Sequence, residues 1–230
     1  MSSTDIRGKA AQYSNVAAAA DGFPVDARAL RDGTLGAVDW RILKIVQGYG
    51  YHVDVGAFST PITGGGNGTV LDQDQPEAII SCPNGTAIMP IRIQVACLVP
   101  LLATDEDEAE IVIAVDKAAA YADDGTVTAE SALNMRTDDP RTSNCNCASA
   151  ATANITNPTL GLELAHAIAL GDVQGTAANA NWYELKLLYE PIAPPIIMGP
   201  GAIYIYWGGT VAVDGFAQIE WLEFAETDFS

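Results

Sequence analysis

The sequence lacks long apolar runs. Uninterrupted apolar segments such as residues 111–115 are about one strand long, whereas a membrane helix needs about 20 apolar residues. The first residues, Met-Ser-Ser-Thr-Asp-Ile-Arg, lack the apolar centre of a secretory signal. We therefore expect no membrane-spanning segment and no signal peptide.

Basic residues are also scarce. The chain has 11 Lys and Arg against 29 Asp and Glu, which gives a net charge of −18. The first 44 residues hold six bases and five acids, so almost all of the excess acid lies in the remainder. Nucleic-acid affinity depends on clustered Lys and Arg that displace counterions. We therefore expect no direct nucleic-acid binding, and we expect the acidity to serve solubility.

Histidine is rarer still, and its scarcity argues against catalytic sites that depend on a histidine triad or on clustered histidine ligands. The two histidines are His52 and His166. His52 stands two residues before Asp54, which places both side chains on one face of a strand. No Gly-x-Ser-x-Gly nucleophile elbow is present. Two isolated histidines supply neither a hydrolytic triad nor a clustered metal centre, so we expect no enzymatic activity. A glycoside hydrolase with two carboxylates in a cleft, or a metal-dependent enzyme, is the alternative.

The four cysteines do not form a zinc motif. Cys82 and Cys97 lie in apolar, strand-like segments and are expected to be buried. Cys145 and Cys147 lie in a polar stretch, residues 136–157, that is predicted to be a loop. A single Cys-x-Cys pair lacks the four ligands of a structural zinc site. We predict no cofactor; a disulfide at Cys145 and Cys147, and a structural calcium ion on the aspartate-rich turns, remain open alternatives.

Strand-like alternation dominates what is present. An apolar content of 49% with 17% charged residues indicates a folded domain. Residues 201–207 and 216–224 alternate with period two, and Gly208-Gly209 and Asp214-Gly215 lie between them. Such a pattern predicts an antiparallel hairpin at the C-terminus. In the second segment Ala217, Ile219 and Trp221 are expected to lie on one face, and Gln218 and Glu220 on the other.

Further strands are predicted upstream from the same alternation. Residues 42–47 and 49–58 are expected to form a first pair. In residues 87–101 one face is predicted to carry Met89, Ile91 and the odd-numbered residues that follow, up to Val99. In residues 160–170 the even-numbered positions, His166 among them, are expected to share a face. About eight strands with irregular connections predict an all-β, antiparallel β-sandwich of jelly-roll type.

The first forty residues differ from this domain. They are rich in Ala, Asp and Arg and have weak periodicity. We predict an extended N-terminal arm over residues 1–40 and a sandwich domain over residues 41–230. The arm is expected to mediate assembly through Arg7, Lys9, Arg28 and Arg31, with packing on its own domain as the alternative.

Three aromatic residues near the C-terminus are candidates for binding. Tyr204, Tyr206 and Trp207 are predicted to lie at a subunit interface or to line a ligand groove. Aromatic residues on sandwich strands are more often part of a core or an interface.

Residues 76–224 resemble single jelly-roll virion proteins of bacteriophages and related viruses. The segments that carry the resemblance are residues 77–86 (EAIISCPNGT), 88–95 (IMPIRIQV), 201–207 (GAIYIYW) and 218–223 (QIEWLE). They are packing and turn patterns rather than an active-site signature. The resemblance implies a structural protein of a capsid, decoration or fibre-head type that assembles with itself.

On this basis we expect a virion structural protein. Its partners would be copies of itself, with a trimer favoured, and other virion proteins. Assembly would take place in the host cytoplasm, and the acidic body favours an outer position on the particle. The alternative is a carbohydrate- or receptor-binding β-sandwich module.

Overall fold

The computed structural model describes residues 39–64, 71–99, 108–117, 127–151, 158–170, 183–210 and 213–229. The elements in chain order are helix α1 (Trp40–Val46), strands β1 (Gly50–Val55), β2 (Ile62–Thr63), β3 (Ala78–Cys82), β4 (Thr86–Val99), β5 (Glu108–Asp116), β6 (Thr128–Glu130), β7 (Leu133–Asn134), β8 (Asn146–Ser149), β9 (Leu160–Leu170), β10 (Tyr183–Tyr189), β11 (Ile197–Met198), β12 (Gly201–Gly209) and β13 (Asp214–Ala225), and a final 3-10 turn (Glu226–Phe229).

The strands form two antiparallel sheets. The first sheet has the order β10-β4-β13-β1-β7, with β11 paired to β4 and β2 paired to β13. The second sheet has the order β6-β8-β3-β12-β5-β9. The prediction of an all-β, antiparallel sandwich is therefore confirmed.

The strand pairs are nested along the chain. β1 pairs with β13, β3 with β12, β4 with β10 and β5 with β9. The outermost pair joins Gly50 to Leu222, so the first and last long strands are neighbours. The chain consequently crosses from one sheet to the other between most successive strands, and the short strands β6, β7 and β8 lie within the β5–β9 connection.

The core fills the space between the sheets. Ile203, Ile205 and Trp207 project into it from β12, and Ile219 and Trp221 project into it from β13. Each is at most 1% exposed, and burying a side chain of this size contributes roughly 1.5–3 kcal/mol. The shared face predicted for Ala217, Ile219 and Trp221 is confirmed, and this face lies in the core. The predicted C-terminal hairpin is wrong, because β12 belongs to the second sheet and β13 to the first.

A β-bulge divides β4 into two halves, and odd-numbered residues face the core in the second half but the outer side of the sheet in the first half. Glu220 of β13 pairs with Arg92, and the next residue, Trp221, pairs with Pro90, which leaves Ile91 as the extra residue. An extra residue reverses the alternation on one side of the bulge. Met89 and Ile91 therefore lie on the outer face of the first sheet rather than in the central core. Their predicted placement beside Val95 and Val99 is wrong.

Strand β9 carries two similar irregularities. Ala165 pairs with Ile113 and Glu163 with Ala114, so Leu164 is an extra residue; Gly161 is a second one farther along. Leu164 and Ala165 pack against the core, whereas His166 and Ile168 are exposed. The single even-numbered face predicted for residues 160–170 is thus wrong.

Residues 40–46 form a helix, so the strand predicted over residues 42–47 is wrong. Asp39 caps the helix by accepting a hydrogen bond from the Arg41 backbone N–H at 2.9 Å. Ile45 packs on the outer-face cluster formed by Met89, Leu222 and its neighbours. The helix therefore covers apolar surface that the β4 bulge turns outward.

The stretch predicted as a loop, residues 136–157, contains strand β8, which pairs with β3. Of the predicted arm, residues 1–38 lie outside the described residues, and with them Arg7, Lys9, Arg28 and Arg31.

Candidate functional site

The three candidate aromatic residues lie inside the molecule. Tyr204 is 2%, Tyr206 0% and Trp207 1% exposed. The Tyr206 hydroxyl donates to the Gln73 carbonyl at 2.8 Å, and the Trp207 indole N–H donates to the Ile62 carbonyl at 3.0 Å. Their polar atoms thus have internal partners. An interface or ligand role for these residues stays a prediction; their burial leaves little surface for contact, although Tyr206 borders a groove on the outer face of the second sheet.

The outer face of the first sheet carries a polar network around His52. His52 Nε2 lies 3.0 Å from Asp54 Oδ2, which confirms that the two side chains share a face. Arg92 Nη1 lies 3.1 Å from Glu220 Oε1, and Arg92 Nη2 donates to Gln94 Oε1 at 2.6 Å. These residues come from β1, β13 and β4, so the network ties three strands together across their exposed face.

The outer face of the second sheet carries an acidic groove of about 350 Å³. His166 Nε2 lies 3.1 Å from Glu110 Oε2, and His166 Nδ1 lies 3.9 Å from Glu163 Oε1. Tyr206 and Leu71 form part of the apolar lining. We call this feature the acidic groove. Its lining combines the carboxylates of Glu110 and Glu163 with apolar side chains, so it can accept hydrogen bonds from a ligand.

Metal ligation has limited support in this part of the chain. Within the described ranges, no three His, Cys, Asp or Glu side chains come together in a way that could hold a metal ion. Of the aspartate-rich turns, Asp138 pairs with Arg136, and Asp139 pairs with Arg141. Calcium binding stays a prediction.

The four cysteines are free thiols, and all are buried. This confirms the expectation for Cys82 and Cys97 and corrects the loop position expected for Cys145 and Cys147, which lie at β8 and join the core. Burial, with a smaller effect of the Glu223 charge, raises the pKa of Cys147 to about 12. Burial also raises the pKa of Cys97 far above its ordinary value. These thiols are therefore protonated at neutral pH.

Sequence reasoning missed the buried carboxylate of Glu223, which is 5% exposed. Ser143 Oγ donates to it at 2.6 Å, the Asn144 backbone N–H at 2.9 Å and Asn144 Nδ2 at 2.8 Å. These bonds fix the chain just before Cys145. Period-two alternation puts Glu223 on the inward face with Trp221, and this was the signal that could have identified it.

Several large apolar side chains are exposed near the edge of the first sheet. β10 is the terminal strand of that sheet, and the segment that follows it leads to β11. Leu188 is 56% and Ile192 98% exposed, and Ile196 and Met198 are also exposed. We call these four residues the edge patch. Exposed apolar groups on or near a terminal strand are available for contact with another chain.

No protein-family model, curated protein or solved structure matches this chain. No helix within the described part of the chain has the length and apolarity that crossing a membrane requires.

Proposed function

We propose that this chain is a jelly-roll structural protein that assembles with copies of itself, of the type that forms virion shells or decorates them. The observation that carries the proposal is the nested strand pairing. The eight long strands, in chain order, are β1, β3, β4, β5, β9, β10, β12 and β13. In this order the first strand pairs with the eighth, the second with the seventh, the third with the sixth and the fourth with the fifth, and these pairs are distributed over two sheets. A jelly roll built of two Greek keys has this order.

The edge patch favours assembly among the roles that this fold serves. Jelly rolls include capsid proteins, lectins and cupins, so the fold alone does not fix a function. Leu188 and Ile192 present apolar surface beside the terminal strand β10. Contact with a second copy would remove that surface from water. A trimer is the assembly that we favour.

Charge supports a position on the outside of a particle. With a net charge of −18, the chain repels phosphate backbones. We therefore propose that its further partners are other virion proteins and that it does not contact the genome directly. The arm at residues 1–40, with Arg7 and Lys9, is proposed to extend these contacts to a neighbour.

The test is the native mass of the purified chain. We expect light scattering and native mass spectrometry to give a defined oligomer, with a trimer as the first expectation. Replacing Leu188 and Ile192 together by Ser should shift the mass to the monomer and leave the circular dichroism spectrum unchanged. Phe58→Ser is the matched control, because Phe58 is 76% exposed but lies in the turn after β1. A monomeric wild-type chain at all concentrations would refute the proposal.

Deleting residues 1–38 tests the arm separately. This deletion keeps Asp39, the cap of α1, so the sandwich should fold as before. We expect a lower assembly mass or a weaker association constant than in the full chain. An unchanged mass and association constant would remove the arm from the proposal and leave the edge patch as its basis.

The acidic groove favours carbohydrate binding as a second candidate function. Carboxylates such as Glu110 and Glu163 accept hydrogen bonds from sugar hydroxyls, and the groove volume of about 350 Å³ suits a small ligand. Glycan-array binding that is lost in Glu110→Gln and retained in Glu184→Gln would support it. An array without binding would leave only the assembly role.

A further inference from the structure

We propose that Cys82 and Cys145 form a redox-active pair, which a two-electron oxidant such as hydrogen peroxide converts into a cross-strand disulfide. β3 and β8 are antiparallel neighbours, and Ser81 pairs with Asn146. Cys82 follows Ser81 as the last residue of β3, and Cys145 immediately precedes Asn146. One further step in this register places Cys82 opposite Cys145. This inference is independent of the proposed assembly.

The two thiols face the same interior region. Both belong to the central core cluster; Cys82 is 0% and Cys145 8% exposed. The neighbouring Cys82 thiol, together with burial, raises the pKa of Cys145. Residues directly opposite in an antiparallel pair have Cα atoms about 4.5–5.5 Å apart. This separation lies within the range of about 4.4–6.8 Å that disulfides span.

The other cysteines are poorer partners. Cys147 lies two residues beyond Cys145 along an extended chain, a Cα separation of about 6.6 Å that falls at the upper limit for a disulfide. Cys97 lies in β4 of the opposite sheet. The cross-strand position therefore selects Cys82 as the partner of Cys145.

A surface cleft gives an oxidant access to one member of the pair. The cleft, of about 260 Å³, is lined by Cys145 and Cys147 together with Glu130 and Asn146. Cys145 Sγ attacks a peroxide oxygen, the O–O bond breaks, and Cys145 sulfenic acid and one water form. Cys82 Sγ then displaces the sulfenic oxygen, which leaves as a second water. The two thiols have lost two electrons and two protons, and peroxide has been reduced to two waters.

Because both thiols are buried, oxidation should be slow, and the reaction is followed on the folded protein. The full chain is first fully reduced, then freed of reductant and incubated with hydrogen peroxide. Peptide mapping without reductant should show a Cys82–Cys145 cross-link with the loss of two hydrogen atoms. The link closes a long loop, so the melting temperature should rise by about 5–15 °C and should fall again on reduction.

Two variants make the assignment specific. Cys147→Ala should retain both the cross-link and the temperature shift, whereas Cys145→Ala should lose both. If Cys145→Ala does not fold, alkylation of the oxidised wild type under denaturing conditions gives the answer, because only Cys97 and Cys147 should react. A cross-link from Cys145 to Cys147, four reactive thiols, or Cys145 oxidised to the sulfinic acid without a cross-link would each overturn the proposal.

Discussion

At the scale of single residues, the buried carboxylate of Glu223 organises its surroundings most strongly. An ionised carboxylate only accepts hydrogen bonds, and Glu223 receives three from Ser143 and Asn144. The Cys145 backbone N–H in turn donates to Ser143 Oγ at 3.0 Å. The position of the Cys145 thiol therefore depends on a charge located in β13.

Glu223→Gln should lower the free energy of unfolding by about 2 kcal/mol, because a neutral amide accepts weaker hydrogen bonds and points one NH₂ group toward donors. Urea unfolding measures this loss. Glu184→Gln is the matched control: Glu184 is exposed and pairs with Lys186 at 2.7 Å, so its loss should be below about 0.5 kcal/mol. Equal effects for the two variants would show that burial of Glu223 is energetically irrelevant.

Alternation could identify inward residues but not their partners. It correctly assigned Val95 and Val99 to the interior and placed Ile219 and Trp221 on one face. It could not link Glu223 to Ser143, because the two residues are 80 positions apart and meet only through the pairing of the sheets. For the same reason the partners of His166 and the acidic groove could not be predicted.

At the scale of elements, the errors have a common physical origin. The bulge at Ile91 is an irregularity of pairing with β13 beside Pro90, a residue that cannot donate a ladder hydrogen bond and marks such irregularities, whereas the apolar alternation by itself does not reveal the bulge. Residues 40–46 contain Ile42, Ile45 and Val46, whose β-branched side chains favour strands. Asp39 as a cap and the apolar surface under Ile45 outweigh that preference. Tertiary contacts therefore decided both elements, against local propensity in α1 and against simple alternation in β4.

The end of β12 supplies a test of element geometry. Gly209 has a φ of +151°, and a Cβ there would overlap the backbone carbonyl of Glu108 in β5. Gly85 has a φ of +83°, but no atom lies within 4 Å of its added Cβ. Gly209→Ala should therefore lower the free energy of unfolding by about 3 kcal/mol or more. Gly85→Ala should cost about 1 kcal/mol, since only its backbone conformation is unfavourable.

Urea unfolding of the two glycine variants separates steric overlap from backbone conformation. A larger loss in Gly209→Ala assigns the difference to the contact between β12 and β5. Similar losses would mean that the strand end moves aside without cost, and that the closeness of β12 to β5 at this point is not needed for stability.

At the scale of the whole molecule, topology is the feature that the sequence reveals least. Turn residues such as Gly208 and Gly209 showed where strands end, and the pattern correctly predicted a two-sheet sandwich. It did not show that the chain changes sheet at that turn, because a hairpin and a crossover use similar residues. The pairing of Gly50 with Leu222 is a long-range contact with no local signal. Nesting of the strand pairs therefore emerged only from the structure.

Net charge leads to a prediction about assembly. Copies that each carry −18 repel one another, and salt shortens the range of that repulsion from about 30 Å at 0.01 M to about 8 Å at 0.15 M. If apolar contact at the edge patch drives association, the mean mass by light scattering should rise with sodium chloride at constant protein concentration. The Leu188→Ser and Ile192→Ser double variant should remain monomeric throughout, because it lacks the attraction that screening would uncover. Dissociation of the wild type at higher salt would instead identify ion pairs between copies as the dominant attraction, and the edge patch would lose that role.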